Sequence, residues 1–302
     1  MKVFFMGTAQ IHRLEKIMYN KIGTSIESLE KNKFLKLFED MKNILNSEII
    51  YGTFFGLFSK RNLIYLIIAK LFRKKVICHW IGTDVLIALE NPKKTLFIQK
   101  FIDLNLSGSK QLKEELETVG IKSMEEHIIL NDIDFNIEEM PSEHSALAYL
   151  PTEKVKFYGG DYIKQLAKDF PNIKFYIVAN ENKDEFKDYE NIINLGRVSL
   201  EKMEEVYQKI SILIRIVEHD GLSLMLMEAL AKGKEVIYSY DFPYTYKSNS
   251  YISLKENFIK IIVDKPKKNI EGAKYVTENF KVENYINNLL KYFENISKER
   301  KY

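Results

Sequence analysis

Glu218 to Ile237, EHDGLSLMLMEALAKGKEVI, is the stretch whose reading decides the fold. The apolar run ILIRIV, ending at Val217, predicts a buried strand. LSLMLMEALAK predicts the helix that follows it, and Gly233 is the stop signal. His219-Asp220-Gly221 is left as the turn between them. A helix start carries unpaired N–H groups and the positive end of the helix dipole, and a glycine lets a ligand approach the backbone. Gly221, Leu222 and Ser223 therefore form an expected phosphate site. Glu228 follows Asp220 by eight positions, about two helical turns, which puts one carboxylate at the mouth of the turn and the other near the same face. The helix positions around Glu228 are otherwise apolar or small, so a carboxylate without a partner there is costly.

Outward from this stretch the chain keeps one rhythm. Apolar runs SALAYL, IKFYIVA, NIINLG, SILIRIV and KEVIYS alternate with amphipathic segments such as DYIKQLAKDF and SLEKMEEVYQKI. The first half does the same with KVFFMG, SEIIYG, KKVICHWIG and DLNLSGSKQLKEELETVG, where Ser107 to Ser109 supply a turn and cap. Short strands alternating with helices predict parallel sheets with right-handed crossovers. Residues 131–143 lose the period, turn acidic and contain Pro141, which marks a linker. The expected fold is α/β with two Rossmann-like domains. The first spans 1–140; the second spans 141–302 and ends in a helix that packs back on the first.

Composition narrows the function classes. At 302 residues the chain suits two α/β domains, and 46% hydrophobic with 29% charged residues is a globular balance. A net charge of +3, from 45 basic and 42 acidic residues, is too mild for a dedicated nucleic-acid binder. Cys78 is the lone cysteine, which excludes an internal disulfide and a cysteine zinc site. No run approaches the roughly 20 apolar residues needed to span a bilayer, and the N-terminus reads as a strand, so a cytoplasmic location is expected.

The 218–237 stretch resembles the donor-site signature of retaining nucleotide-sugar glycosyltransferases of the GT-B fold, the family 4 group in particular. Asp220 stands for the first acid, Gly221 matches, and Leu222 and Ser223 replace an aromatic and a second glycine. Glu228, Ala229, Ala231 and Gly233 match. The resemblance implies that the two Rossmann-like domains face across a cleft, that Asp220 contacts the donor sugar, that the turn amides hold the diphosphate and that Glu228 takes the ribose hydroxyls. It also implies that Leu195-Gly196-Arg197-Val198 lies beside the nucleotide base. The loop TEKVKFYGG stands where the family has a glycine-rich loop and a basic pair. Lys154 and Lys156 are the nearest cations there, and the usual arginine is absent. Arg215, inside the strand, either pairs with an acid or points at the phosphates.

In the first half, CHWIGTDV resembles a His-Trp-x-Gly-x-Asp segment of the same transferases. His79 and Asp84 are expected at the carboxyl end of a strand, facing the acceptor. The implied partners are a nucleoside diphosphate sugar, with uridine as the expected base, and an alcohol acceptor on a cell-envelope or lipid-linked glycan. No cofactor or metal is expected: Asp132-Ile133-Asp134 lies in the linker and no histidines have ligand spacing. The other reading is a non-catalytic relative that binds a nucleotide sugar or a partner transferase. Finally, no acidic residue lies between Glu48 and Asp84, while Lys60, Arg61, Lys70, Arg73, Lys74 and Lys75 flank LIYLIIA. That pattern suits a core helix or a helix lying on an anionic membrane surface, the peripheral position expected on the inner face of the membrane.

Overall fold

The structure, a computed structural model, describes residues 1–7, 9–53, 56–133 and 136–298. Asp134 of the linker motif lies outside the described residues. Two compact units form, one from Met1–Asp132 with the chain from Lys281 onward, the other from Ile133–Phe280.

The first unit runs β1 (Lys2–Met6), α1 (Ala9–Met18), β2 (Gly23–Ile26), α2 (Lys33–Leu45), β3 (Ile49–Thr53), α3 (Lys60–Leu71), β4 (Lys75–Trp80), α4 (Thr83–Glu90), α5 (Pro92–Gln99), β5 (Leu104–Ser107), α6 (Lys110–Thr118) and β6 (Met124–Glu125). Its sheet is parallel, in the order β2-β1-β3-β4-β5-β6. Strands buried on both faces are near-continuous apolar runs, and β1 and β4 have that composition. Phe4, Met6, Val76, Cys78 and Trp80 point to one face, where they meet Tyr65, Leu66 and Val85 of the crossover helices. The opposite face holds Phe5 and Tyr51.

The second unit runs β7 (Ser145–Tyr149), α7 (Gly160–Asp169), β8 (Lys174–Val178), β9 (Ile192–Asn194), α8 (Leu200–Lys209), β10 (Ile212–Arg215), α9 (Leu224–Ala231), β11 (Glu235–Tyr238), β12 (Tyr246–Lys247), α10 (Tyr251–Ile262) and α11 (Ile270–Asn279). The order β12-β11-β10-β7-β8-β9 is again parallel. From β7 the chain builds outward through β8 and β9, then returns to lay β10 on the other side. The switch point is therefore β7/β10, and ligands in open α/β sheets bind outside the carboxyl ends of strands at such a point.

Residues 133–140 belong to the second unit because Glu138 is held there, accepting from Lys232 and lying 3.0 Å from the Nζ of the fully buried Lys234. The last helix, α12 (Val282–Lys298), belongs to the first unit. Its Phe293 is fully buried, with ring centroids 5.8 Å from Tyr51 and 6.4 Å from Phe5. Edge strands β2, β6 and β12 are two to four residues long and too weakly patterned to be read beforehand.

Phe293→Ala should destabilise the first unit by roughly 3–5 kcal/mol, the usual cost of emptying a phenylalanine site in a core. The single tryptophan, Trp80, is buried in that unit, so urea unfolding followed by tryptophan fluorescence reports on it alone. An unchanged midpoint would mean that α12 does not support the first sheet.

Candidate functional site

The loops after β7 and β10 flank the switch point of the second sheet, and what they hold follows from a largely buried cation. Arg215 ends β10, and its guanidinium lies 5.5 Å and 6.0 Å from the ring centroids of Tyr158 and Tyr149. Rings alone do not neutralise a buried guanidinium. Asp220 does so, its Oδ2 accepting from Arg215 Nε at 2.6 Å and from the Tyr238 hydroxyl at 3.3 Å. Of the two alternatives open to Arg215, the structure takes the ion pair. The turn is then pinned on both sides: Glu218 N–H donates to the Phe157 carbonyl at 3.0 Å, and Tyr240 donates to the Glu218 carbonyl at 2.6 Å. Gly159, at φ +72°, sits so close to this turn that a Cβ would lie 2.6 Å from the Ile216 carbonyl oxygen.

Pinning the turn places the start of α9. Ser223 is its N-cap residue, yet its side chain caps no N–H, so the first-turn donors are left for a ligand. One helical turn beyond Met225 comes Glu228. Burial raises its carboxyl above the ordinary value, and Glu204 adds to this. The Tyr207 hydroxyl, donating to Oε2 at 2.9 Å, and Lys232 work in the other direction. Tyr207 is fully buried, so one carboxylate oxygen is fixed by the fold. Nothing in the sequence of α8 singles Tyr207 out.

Beside this helix start is a cavity of about 350 Å³ lined by Tyr149, Pro151, Ala179, Arg197, Val198 and Met225, among others. Its size, and a lining of apolar side chains with the charged Glu181 and Arg197, suit a small ligand with polar edges. Arg197 is brought there by the turn at Gly196 (φ +67°), whose carbonyl accepts from Ala179 N–H at 2.7 Å. A second cavity, of about 380 Å³, is lined by Lys156, Gly159, Glu218, Ser239 and Tyr240. Residues 150–159 border both. Lys156 faces the second cavity, whereas Lys154 lines neither and lies exposed over the Phe157 ring, 5.6 Å from its centroid.

The first-unit residues expected to face an acceptor are placed otherwise. His79 is 0% exposed. Its Nε2 contacts the Glu126 carbonyl at 2.8 Å, and a carbonyl can only accept, so Nε2 carries the proton. Nδ1 then accepts from Tyr51 at 2.5 Å, and Tyr285 of α12 lies 3.2 Å from the Tyr51 oxygen. Both ring nitrogens are used inside the core, and burial lowers the ring's pKa to about 4. Asp84 is also 0% exposed. It accepts from the N–H groups of Ile81, Gly82 and Val85, stapling the turn into α4. Both side chains are engaged inside the first unit, and β4, which leads to them, lies one strand beyond the β1/β3 switch point of the first sheet.

No protein-family model matches the sequence, and no curated protein matches it. Solved structures do match along almost the whole chain. The Anabaena protein HepE in complex with UDP-glucose aligns with a TM-score of 0.70 at 11% identity, covering 98% of this chain and 100% of that one. The lipopolysaccharide outer core galactosyltransferase WaaB, in its apo form, gives 0.67 at 14% identity, covering 99% and 100%. Sucrose-phosphate synthase from Thermosynechococcus elongatus gives 0.68 at 11%, covering 98% and 99%. These neighbours are GT-B glycosyltransferases, and two parallel six-stranded α/β domains of that fold are what this chain shares with them.

The His79 geometry carries a pH signature. The folded unit keeps the ring neutral down to about pH 4, whereas the unfolded chain protonates it below the ordinary 6.5. Between those values the unfolded state binds the extra proton, so stability falls as pH is lowered, by up to about 1.4 kcal/mol per pH unit. His79→Gln should remove that contribution. Urea midpoints by Trp80 fluorescence at several pH values between 4 and 7 check it, and identical pH slopes for the two proteins would refute the assignment.

Proposed function

We propose that the chain transfers a sugar from a nucleoside diphosphate donor to an alcohol acceptor, with retention at the anomeric carbon. The observation that carries this is Glu228: a carboxylate held at one oxygen by Tyr207, one turn below an uncapped helix start whose Met225 lines a cavity with Arg197 and Val198. In this reading the base, with uridine the preferred one, occupies the cavity beside Arg197 and Val198. The second oxygen of Glu228 accepts from the ribose hydroxyls, and the diphosphate lies on the N–H groups of Gly221, Leu222 and Ser223.

The chemistry asked of the protein is then electrostatic. As the bond from the anomeric carbon to the diphosphate breaks, charge grows on the leaving oxygen. Preorganised amides at a helix start stabilise that charge without reorganising. Lys156 supplies a cation on the same loop system. Arg215 acts at one remove, because its charge is committed to Asp220. Asp220 remains the carboxylate nearest the sugar end, orienting a donor hydroxyl through the oxygen that Arg215 does not hold. The acceptor in this reading is a cell-envelope or lipid-linked glycan, met at the cytoplasmic face of a membrane.

The Arg215–Asp220 pair also favours a second reading, in which the chain binds the nucleotide sugar, or a partner transferase, without turnover. Release of uridine diphosphate from UDP-glucose or UDP-N-acetylglucosamine, with and without glycan acceptors, separates the two. Release that depends on acceptor supports the transferase. Tight donor binding with no release supports the binding protein.

Two outcomes follow for the site. Glu228→Gln should weaken free uridine diphosphate by roughly 1.5–3 kcal/mol for a lost hydrogen bond to a charged group, whereas Asp220→Asn should spare the free nucleotide and weaken only the sugar-bearing donor. Calorimetric titration giving equal losses for both ligands in both variants would contradict this division. Nucleotide binding should also survive chelation, since the helix start and side-chain cations provide the positive charge; binding abolished by a chelator and restored by magnesium would contradict that.

A further inference from the structure

The helices α2 and α3 each bury one apolar stripe and expose another. On α2, Asp40 and Ile44 face the core, while Phe34 and Phe38 are 77% and 63% exposed and Leu45 continues their line. Spacings of four and eleven residues from Phe34 keep these three on one side of the helix. On α3, Tyr65, Leu66 and Ala69 face the core, and Ile64, Ile67 and the 73%-exposed Leu71 form an outward line, extended by Phe72. The two helices pack side by side, tied by the Tyr65 hydroxyl donating to the buried Asp40 at 2.8 Å. As crossovers of one parallel sheet on one face they run in the same sense, so the outward stripes lie alongside each other.

A soluble surface does not usually gather this many large apolar side chains. Its border is cationic. Lys31 and Lys33 stand at the start of α2, Lys42 in its last turn, Lys60 at the start of α3 and Arg73 just beyond its end, all exposed and in no ion pair among the described residues. Arg61 and Lys70 are instead paired, with Glu27 and Asp103. Within the two helices Glu39 is the one exposed acid, its carboxylate accepting from the Ser28 hydroxyl, and the exposed Glu30 just before α2 accepts from Asn32 N–H.

We infer that the outward face of α2 and α3 docks on an anionic lipid bilayer, with Phe34, Phe38, Ile67 and Leu71 entering the headgroup layer and the bordering lysines and Arg73 meeting lipid phosphates. Apolar side chains framed by unpaired cations match such an interface in both chemistry and charge. No helix of the described residues is long and apolar enough to cross a membrane. The inference deepens the membrane side of the proposed function and rests on it only for the lipid-linked acceptor.

The test is sedimentation of the full chain with vesicles of phosphatidylcholine alone or mixed with phosphatidylglycerol, at low and high salt. The wild-type protein should pellet with the anionic vesicles at low salt and be released at high salt. The variants Phe34→Ser/Phe38→Ser and Lys33→Glu/Lys42→Glu should each bind at least tenfold more weakly. Both should keep the Trp80 unfolding midpoint and the wild-type affinity for uridine diphosphate, so failure here and failure of the donor reading are separately visible. Absence of wild-type binding at low salt overturns the inference. So does vesicle binding that the phenylalanine variant retains in full. A wild-type dimer in light scattering that the same variant dissolves, without vesicle binding, would assign the face to a second copy of the chain and overturn it as well.

Discussion

Arg215 is the constraint on which the second unit turns. A guanidinium at the end of a buried strand has left water, and the return comes from the two tyrosine faces and from Asp220, five residues on. Closing that pair within so short a span bends the chain back toward β11, and the bonds from Glu218 and Tyr240 hold the bend. The start of α9 is thereby set over the switch point of the sheet, and with it the position of Glu228. Tyr207 fixes the carboxylate from the neighbouring helix. The turn and the helix start that follows it are consequences of one neutralised cation.

Much of this architecture was legible in the sequence. The strands β1, β3, β4, β7, β10 and β11 are mostly apolar runs buried on both faces, and such runs separated by amphipathic helices point to the parallel sheet. The turn at 218–223 was legible because glycine, acid and helix start coincide. The linker was legible only in part: residues 133–140 look like linker by composition but are drawn into the second unit by the half-buried Glu138 with Lys232 and Lys234, a contact spanning about a hundred residues that no local pattern signals.

His79 and Asp84 show where reading by motif stops. Both were expected at a site because they end a strand. Ligands in open α/β sheets favour the crevice at a switch point, and strand order is a non-local property. In this sheet the switch point lies between β1 and β3, one strand from β4, and the CHWIGTDV segment is held inward: the imidazole joins Tyr51 and Tyr285 in the core, and the carboxylate caps its own turn. The stripes of α2 were missed for the opposite reason. LIYLIIA is conspicuous as a run, whereas Phe34, Phe38 and Leu45 are scattered and become a line only once the helix phase is known. Tyr207 could not have been found from sequence, since its partner is on another helix.

The central claim is that a nucleoside diphosphate occupies the space between the Arg197 loop and the start of α9. Amide hydrogen exchange of the full chain, with and without saturating uridine diphosphate, tests it most directly, because the ligand would cover identifiable N–H groups. The account predicts slowed exchange at Leu195–Val198 and at Gly221–Met225, with the β4 segment around His79 unchanged. Protection confined to the first unit, or none at residues 221–225, would contradict it.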